Sequence, residues 1–421
     1  MTNSSITADT ATTANRIRNL WTVYGPLITK LVIGLMVIIS VGWLGYQCWR
    51  LLSPSPPIWP SSPKGAVDLL QRYSEVRHWY GRPGANTYFR LGTAVYPPAT
   101  YVMFWPLSWF SGSTVRWVWF FSTLPFLGWL MMIMIRECGA SSRLEKVFIG
   151  LIPLSMYATG ATIGNGQPNV HIMPLLITAL LGLTRDGPSW SRDLKGSALF
   201  LLSLSKPIIG GPFFWIVLFV RRSYRPALLI VATYIGLTVL AMLFKDIPFF
   251  DLIRGWIFRA ASGVAFGSTR GAVANQSTLL AGAGMQRYDL IYAAIAGVMI
   301  MGVWMYAHRR SDSWILLGVF GILTRIGIYH RWYDDLLILL PLIALYRMAK
   351  SGPEFGNRDV IAGVLFTILL FMLMAPGGLY LLPPPWNGYS LNVQTGVWML
   401  VLCFLLWQAW KERSLPMSAQ S

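Results

Sequence analysis

Apolar residues along this chain come in long blocks, with neither the alternation of half-buried strands nor the single stripe of a surface helix. Blocks near the length needed to cross a hydrocarbon core of roughly 30 Å fall at residues 28–48, 115–135, 147–163, 170–184, 226–243, 287–307, 313–329, 334–350, 360–376 and 393–410. Such blocks predict helices, because a backbone in lipid must satisfy its own hydrogen bonds. Two stretches fit poorly. Residues 96–110, YPPATYVMFWPLSWF, are short for a crossing, and 196–220 are interrupted at 205–207 by SKP, where proline disturbs a helix. Both read as re-entrant or broken helices, so the expected fold is an all-α polytopic membrane protein of roughly 10–13 membrane helices.

Composition strengthens this reading. Of 421 residues, 55% are hydrophobic and 12% charged, outside soluble-domain habits. One integral domain is expected over 28–410, between a polar N-terminus at 1–27 and a tail at 411–421. The N-terminus, with Arg16 and Arg18 ahead of the first block and no small-residue cleavage site, reads as an uncleaved signal-anchor. Cys48, Cys138 and Cys403 lie far apart without metal-ligand spacing, which predicts ordinary core residues, no disulfide framework and no metal site.

The net charge of +18 reads as a topology signal, not a nucleic-acid footprint, since cytoplasmic loops collect Lys and Arg. Short basic loops at 136–146, 185–195, 221–225, 308–310, 347–358 and 411–413 are therefore assigned to the cytoplasm with the N-terminus. Residues 50–95, the turn at 164–169, the loop at 244–286 and the Pro-rich 375–390 then fall on the outer face. Two of these are basic too. Residues 50–95 carry Arg50, Lys64, Arg72, Arg77, Arg82 and Arg90 against Asp68 and Glu75. Either long loops translocate whatever their charge, or an anionic ligand such as a phosphate is gripped there.

Polar residues interrupt the apolar pattern at a few places. In the first outer loop Asp68 and Glu75 are seven apart, which places them on one face of a helix; the bland reading is an interfacial helix with tyrosines at headgroup depth. GNGQPNVH at 164–171 sets amides at membrane depth, or is simply a tight turn, and His171 reads as a packing histidine. Lys206 in LSLSKPIIGG and Arg325 in GILTRIGIYH are intramembrane cations, which need an anion or must snorkel. HRWYDD at 330–335 puts two carboxylates at the mouth of a span. One could cap a helix dipole, with Asp335 facing water and Asp334 orienting His330 and Arg331.

In chain order, Asp68 and Tyr73, YPP (Tyr96 to Pro98), GQPN (Gln167, Asn169), KP (Lys206, Pro207) ahead of Arg221 and Arg222, NQS (Asn275, Gln276, Ser277), and HRWYD (His330, Tyr333, Asp334) resemble glycosyltransferase family 87 over about 65–345. That resemblance implies a GT-C-like bundle with a large first outer loop. It implies inverting transfer of a sugar, by analogy mannose, from a polyprenyl-phosphate donor to a lipid or glycan acceptor. Members include mycobacterial enzymes that elongate phosphatidylinositol mannosides. The general base matches Asp68, with Glu75 as alternative. Lys206, Arg325, His330, Arg331, Asp334, Tyr73, Tyr96, Gln167, Asn169, Asn275 and Gln276 are the expected donor-phosphate and substrate residues.

A sugar on a lipid phosphate already has a good leaving group, so one base and cations suffice. No cofactor is expected, and a nucleotide sugar would need a soluble domain for which the chain has no room. The expected setting is the cell inner membrane, with the site facing the periplasm or exterior and membrane lipids around it. A transporter or flippase of an anionic lipid is the competing reading, but its ionisable groups would line a path through the membrane. A noncatalytic assembly partner is a third.

Overall fold

A computed structural model of the chain describes residues 3–53, 65–185, 189–220, 224–268, 280, 283–352, 357–377 and 382–414. Among the described residues the fold is helical, with one isolated bridge pairing Met156 and Met374. The chain opens with α1 (Asn3–Leu52), one helix that runs through the polar N-terminus and the first apolar block. Short pieces follow: α2 (Val67–Gly81), α3 (Thr87–Arg90), α4 (Pro98–Met103) and a 3-10 turn (Trp105–Trp109). Next come α5 (Gly112–Glu137), α6 (Arg143–Ser155), α7 (Tyr157–Asn165), α8 (Asn169–Arg185), α9 (Trp190–Ser203), α10 (Pro207–Gly210), α11 (Phe214–Phe219) and α12 (Arg225–Met242). The second half holds α13 (Phe249–Ser268), α14 (Arg287–His308), α15 (Ser313–Gly327), a 3-10 helix (Trp332–Ile338), α16 (Leu339–Lys350), α17 (Arg358–Leu373) and α18 (Ser390–Ser414).

Five helices among the described residues are long and apolar enough to cross a membrane: α1 from Arg18, α5, α12, α14 and α18. The protein is a polytopic membrane protein. α1 turns Leu27, Leu31, Leu35 and Ile38 outward, an apolar surface that only lipid would cover at no cost. α8 and α15 are apolar on nearly every side and are buried accordingly, which makes them the centre of the bundle.

Several expected spans are interrupted. The block at 147–163 divides at Met156, which is extended, and the freed Ser155 carbonyl accepts from the Ala375 amide at 2.8 Å. The block at 334–350 begins as the 3-10 helix before α16 takes over. Residues 196–220 form a hairpin in which α9 ends, Leu204 to Lys206 turn, and α10 and α11 return. Residues 96–110 form α4 and the 3-10 turn, with α4 packed on α12. One expectation is corrected: 244–286, read as a loop, contains α13. Its apolar face is interleaved with Asp251, Arg254 and Arg259, so it has no span-like run, yet Trp256 donates to the Val95 carbonyl at 3.1 Å and docks it. Cys403 is exposed on α18, so it is not a core residue, whereas Cys138 is buried.

Polar contacts collect at two ends of the bundle. At one, Arg185 grips buried Glu137, Arg347 donates to the Glu137 carbonyl, Lys350 binds Glu145 at 2.5 Å and the Asp312 amide meets Glu412. The short basic loops described by the structure are gathered there. At the other end lie α2, the α7–α8 turn, the α9–α10 turn and the start of the 3-10 helix.

Candidate active site

The geometry of this second end begins with a turn. α7 ends on Gly166, whose φ of +69° is left-handed and suits glycine. A Cβ there would sit 2.4 Å from the Leu69 Cβ, so the turn needs glycine for close approach as well. The Ala66 amide donates to the Gly164 carbonyl at 2.8 Å. These contacts lock the first turn of α2, which carries Asp68, directly onto GNGQPN.

Beneath α2 lies a buried polar knot. Lys206, at the α9–α10 break, is 2% exposed and donates to Asp334 Oδ1 at 2.5 Å and to the side-chain oxygens of Gln167 and Asn169 at 3.2 Å each. Its ammonium also lies 4.7 Å from the centre of the Tyr333 ring. Asn169 Nδ2 donates to Asp334 Oδ1 at 2.7 Å and to the Tyr333 carbonyl at 2.9 Å. On the other oxygen, Asp334 accepts from the Arg331 amide at 3.0 Å, and His330 Nδ1 lies 3.2 Å away. One carboxylate thus gathers four nitrogen contacts, two from its own segment and one each from Asn169 and Lys206 far off in sequence, the arrangement a buried charge requires.

The neighbouring aspartate faces the opposite way. Asp335 is fully buried, ion-paired to Arg325 and hydrogen-bonded by the Tyr157 hydroxyl. Gln394 Nε2 donates to that hydroxyl at 2.6 Å, and the Arg325 guanidinium lies 5.0 Å from the Trp398 ring centre. The expectation that Asp335 faces water is therefore corrected: it is the counterion of Arg325, which is held in this second knot, and the Arg325 and Lys206 charges both act on His330. The turn of the helix makes the split: one residue along a 3-10 helix rotates the side chain by roughly 120°, so adjacent aspartates meet different neighbours.

Above the first knot are the groups that solvent reaches. Asp68 is partly exposed and Arg331 is exposed. The Asp68 charge is felt by Lys206, Arg331, Tyr333, Tyr96 and Arg72. Arg331 Nε donates to the Tyr329 hydroxyl at 2.9 Å. Tyr73 is turned away, donating to the Phe110 carbonyl at 2.9 Å. Asn275 and Gln276 lie outside the described residues.

Glu75 has no exposed surface and is ion-paired to Arg72 one turn earlier on α2. Burial pushes its carboxyl up to about 7 against the pull of Arg72. As the alternative base it is poorly placed, since an acceptor hydroxyl must reach within about 3 Å. Arg72 was not singled out from the sequence as a site residue. It stands four residues after Asp68, one turn along the same face, and that spacing is the signal that could have found it. Tyr157 and Gln394 had no local signal.

A family model, glycosyltransferase family 87, matches residues 94–326, more than half of the chain. The chain belongs to glycosyltransferase family 87. No curated protein and no solved structure matches it. The matched stretch holds Tyr96, Gln167, Asn169, Lys206 and Arg325, while Asp68 and the HRWYDD segment lie outside it. Membership makes this family 87 protein a membrane-embedded glycosyltransferase. Among its described residues no group of three or more His, Cys, Asp or Glu is placed to hold a metal ion.

Proposed function

We propose that this glycosyltransferase moves a sugar, mannose by family analogy, from a polyprenyl-phosphate donor to a lipid or glycan acceptor, at a site facing the periplasm or cell exterior of an inner membrane. Asp68 takes the proton of the acceptor hydroxyl as its oxygen attacks the anomeric carbon. The bond to the lipid phosphate breaks on the opposite face, so configuration inverts. The phosphate departs as an anion and needs no proton.

The observation that carries this reading is Asp68, partly exposed, within electrostatic reach of Lys206 and exposed Arg331. In the proposed division of labour Arg331 meets the phosphate oxygens. Lys206, His330 and Asp334 form the floor beneath them, because the Lys206 charge is already matched by Asp334. Tyr96, Tyr333 and the amides of Gln167 and Asn169 line the sugar side. Fixed dipoles and charges in a lipid-walled surround need little reorganisation as charge develops. Arg325 takes no part in the grip and holds Asp335 instead.

Asp68→Asn is the decisive variant. Transfer from a polyprenyl-phosphate mannose is expected to fall by about 10²–10⁴-fold, with donor binding and expression retained. Turnover persisting in purified Asp68→Asn protein would remove the base. Mass spectrometry of any lipid-linked sugar that copurifies tests the donor, and recovery of a different lipid-linked sugar would reassign it.

A further inference from the structure

Glu75 is a charged group to which transfer chemistry gives no task, yet it is sealed in the wall of the site. Its one ion-pair partner among the described residues is Arg72. Arg72 is itself held on three sides: by Glu75, by the Thr93 carbonyl at 3.1 Å, and by the Tyr96 ring, whose centre is 4.5 Å from the guanidinium. It lies one turn from Asp68, and its charge is felt by Lys206. Around Glu75 the other ionisable groups are phenols: Tyr96 and Tyr101 from the segment leading into and forming α4, and Tyr88 from α3. Arg72 is therefore the cation whose charge the ionised Glu75 offsets.

We infer that Glu75 is a positioning residue for Asp68, acting through Arg72: ionised, it holds the guanidinium against Tyr96 and offsets its charge, which leaves the Asp68 carboxylate free for the acceptor. The inference rests on the reading of Asp68 as the base. With Glu75 neutralised, Arg72 would stand uncompensated one turn from Asp68. It would be drawn toward that carboxylate and pull it away from the acceptor.

The test uses the full-length protein, with polyprenyl-phosphate mannose as donor and a phosphatidylinositol mannoside as acceptor. In Glu75→Gln, kcat measured above pH about 7 is expected to fall about tenfold or more, donor KM to stay within about threefold, and the rise in rate that Glu75 ionisation gives the wild type through about 7 to disappear. The double variant Glu75→Gln/Arg72→Met leaves no cation to draw on Asp68 and is expected to recover part of the lost kcat without that rise. A merely structural role for Glu75 would not produce this recovery. Wild-type kcat and pH profile in Glu75→Gln overturn the inference, as does a double variant whose kcat is no higher than the single's. If Glu75→Gln does not fold, the double variant carries the test alone, and persistence of the rise through about 7 in it overturns the inference. Asp68→Asn, assayed alongside, separates the two claims. An active Asp68→Asn sinks the base itself, whereas an inactive one beside an unaffected Glu75→Gln sinks this inference only.

Discussion

Lys206 Nζ lies 2.5 Å from Asp334 Oδ1, with both side chains 2% exposed. The pair bridges the α9–α10 turn and the 3-10 helix ahead of α16, so it is a fastener as well as a source of fixed charge. Removing one partner leaves the other charge stranded, at a cost of about 3–5 kcal/mol. Asp334→Ala is expected to lose that much in chemical unfolding in detergent micelles. Lys206→Met/Asp334→Leu is expected to recover most of the stability and none of the activity. Full additivity of the two single losses in the double variant would show that the residues are not coupled.

The second knot is expected to behave as structure. Tyr157→Phe removes a hydrogen bond to the buried Asp335 carboxylate, worth about 1.5–3 kcal/mol. Donor KM should be unchanged, because the Arg325 charge is already matched by Asp335. A large rise in KM without loss of stability would bring Arg325 and Asp335 back toward the donor.

Gly166→Ala tests the turn that seats α2. The left-handed φ alone costs about 1–2 kcal/mol for a residue with a Cβ, and the new methyl would meet Leu69. Activity is expected to fall more steeply than thermal stability, since the displaced element carries Asp68. An Ala variant with normal turnover would show that the approach of turn and helix does not matter to the site.

Stability should also depend on pH through Glu75. Its carboxyl stands at about 7 in the fold against an ordinary 4.5. Between those values the folded state binds more protons than the unfolded, so stability falls as pH rises. The contribution is complete below about 4.5 and gone above about 7. Glu75→Gln is expected to flatten this part of the unfolding profile measured between these limits. A wild-type profile already flat there would place Glu75 in a wetter setting.

What the sequence determined by itself was the class of fold and the inventory of chemistry. Long apolar blocks predict membrane helices, and GNGQPN between two of them reads as a tight turn or as amides at membrane depth. Lys206 and Arg325 inside apolar runs needed an anion or had to snorkel, and HRWYDD held a carboxylate for each. Which aspartate serves which cation was not legible: adjacent carboxylates look alike in a string, and only the tertiary placement of the α9–α10 turn and of α15 around the 3-10 helix gives Asp334 to Lys206 and Asp335 to Arg325. The breaks at Met156 and in 334–350 were equally hidden, because hydropathy records burial and not the backbone partner that makes a break tolerable. Asp68 and Glu75 were separated by tertiary packing alone. Both lie on one face of α2, but α4 and its tyrosines close over the far end of that face and leave the near end, beside the α7–α8 turn, partly open to solvent.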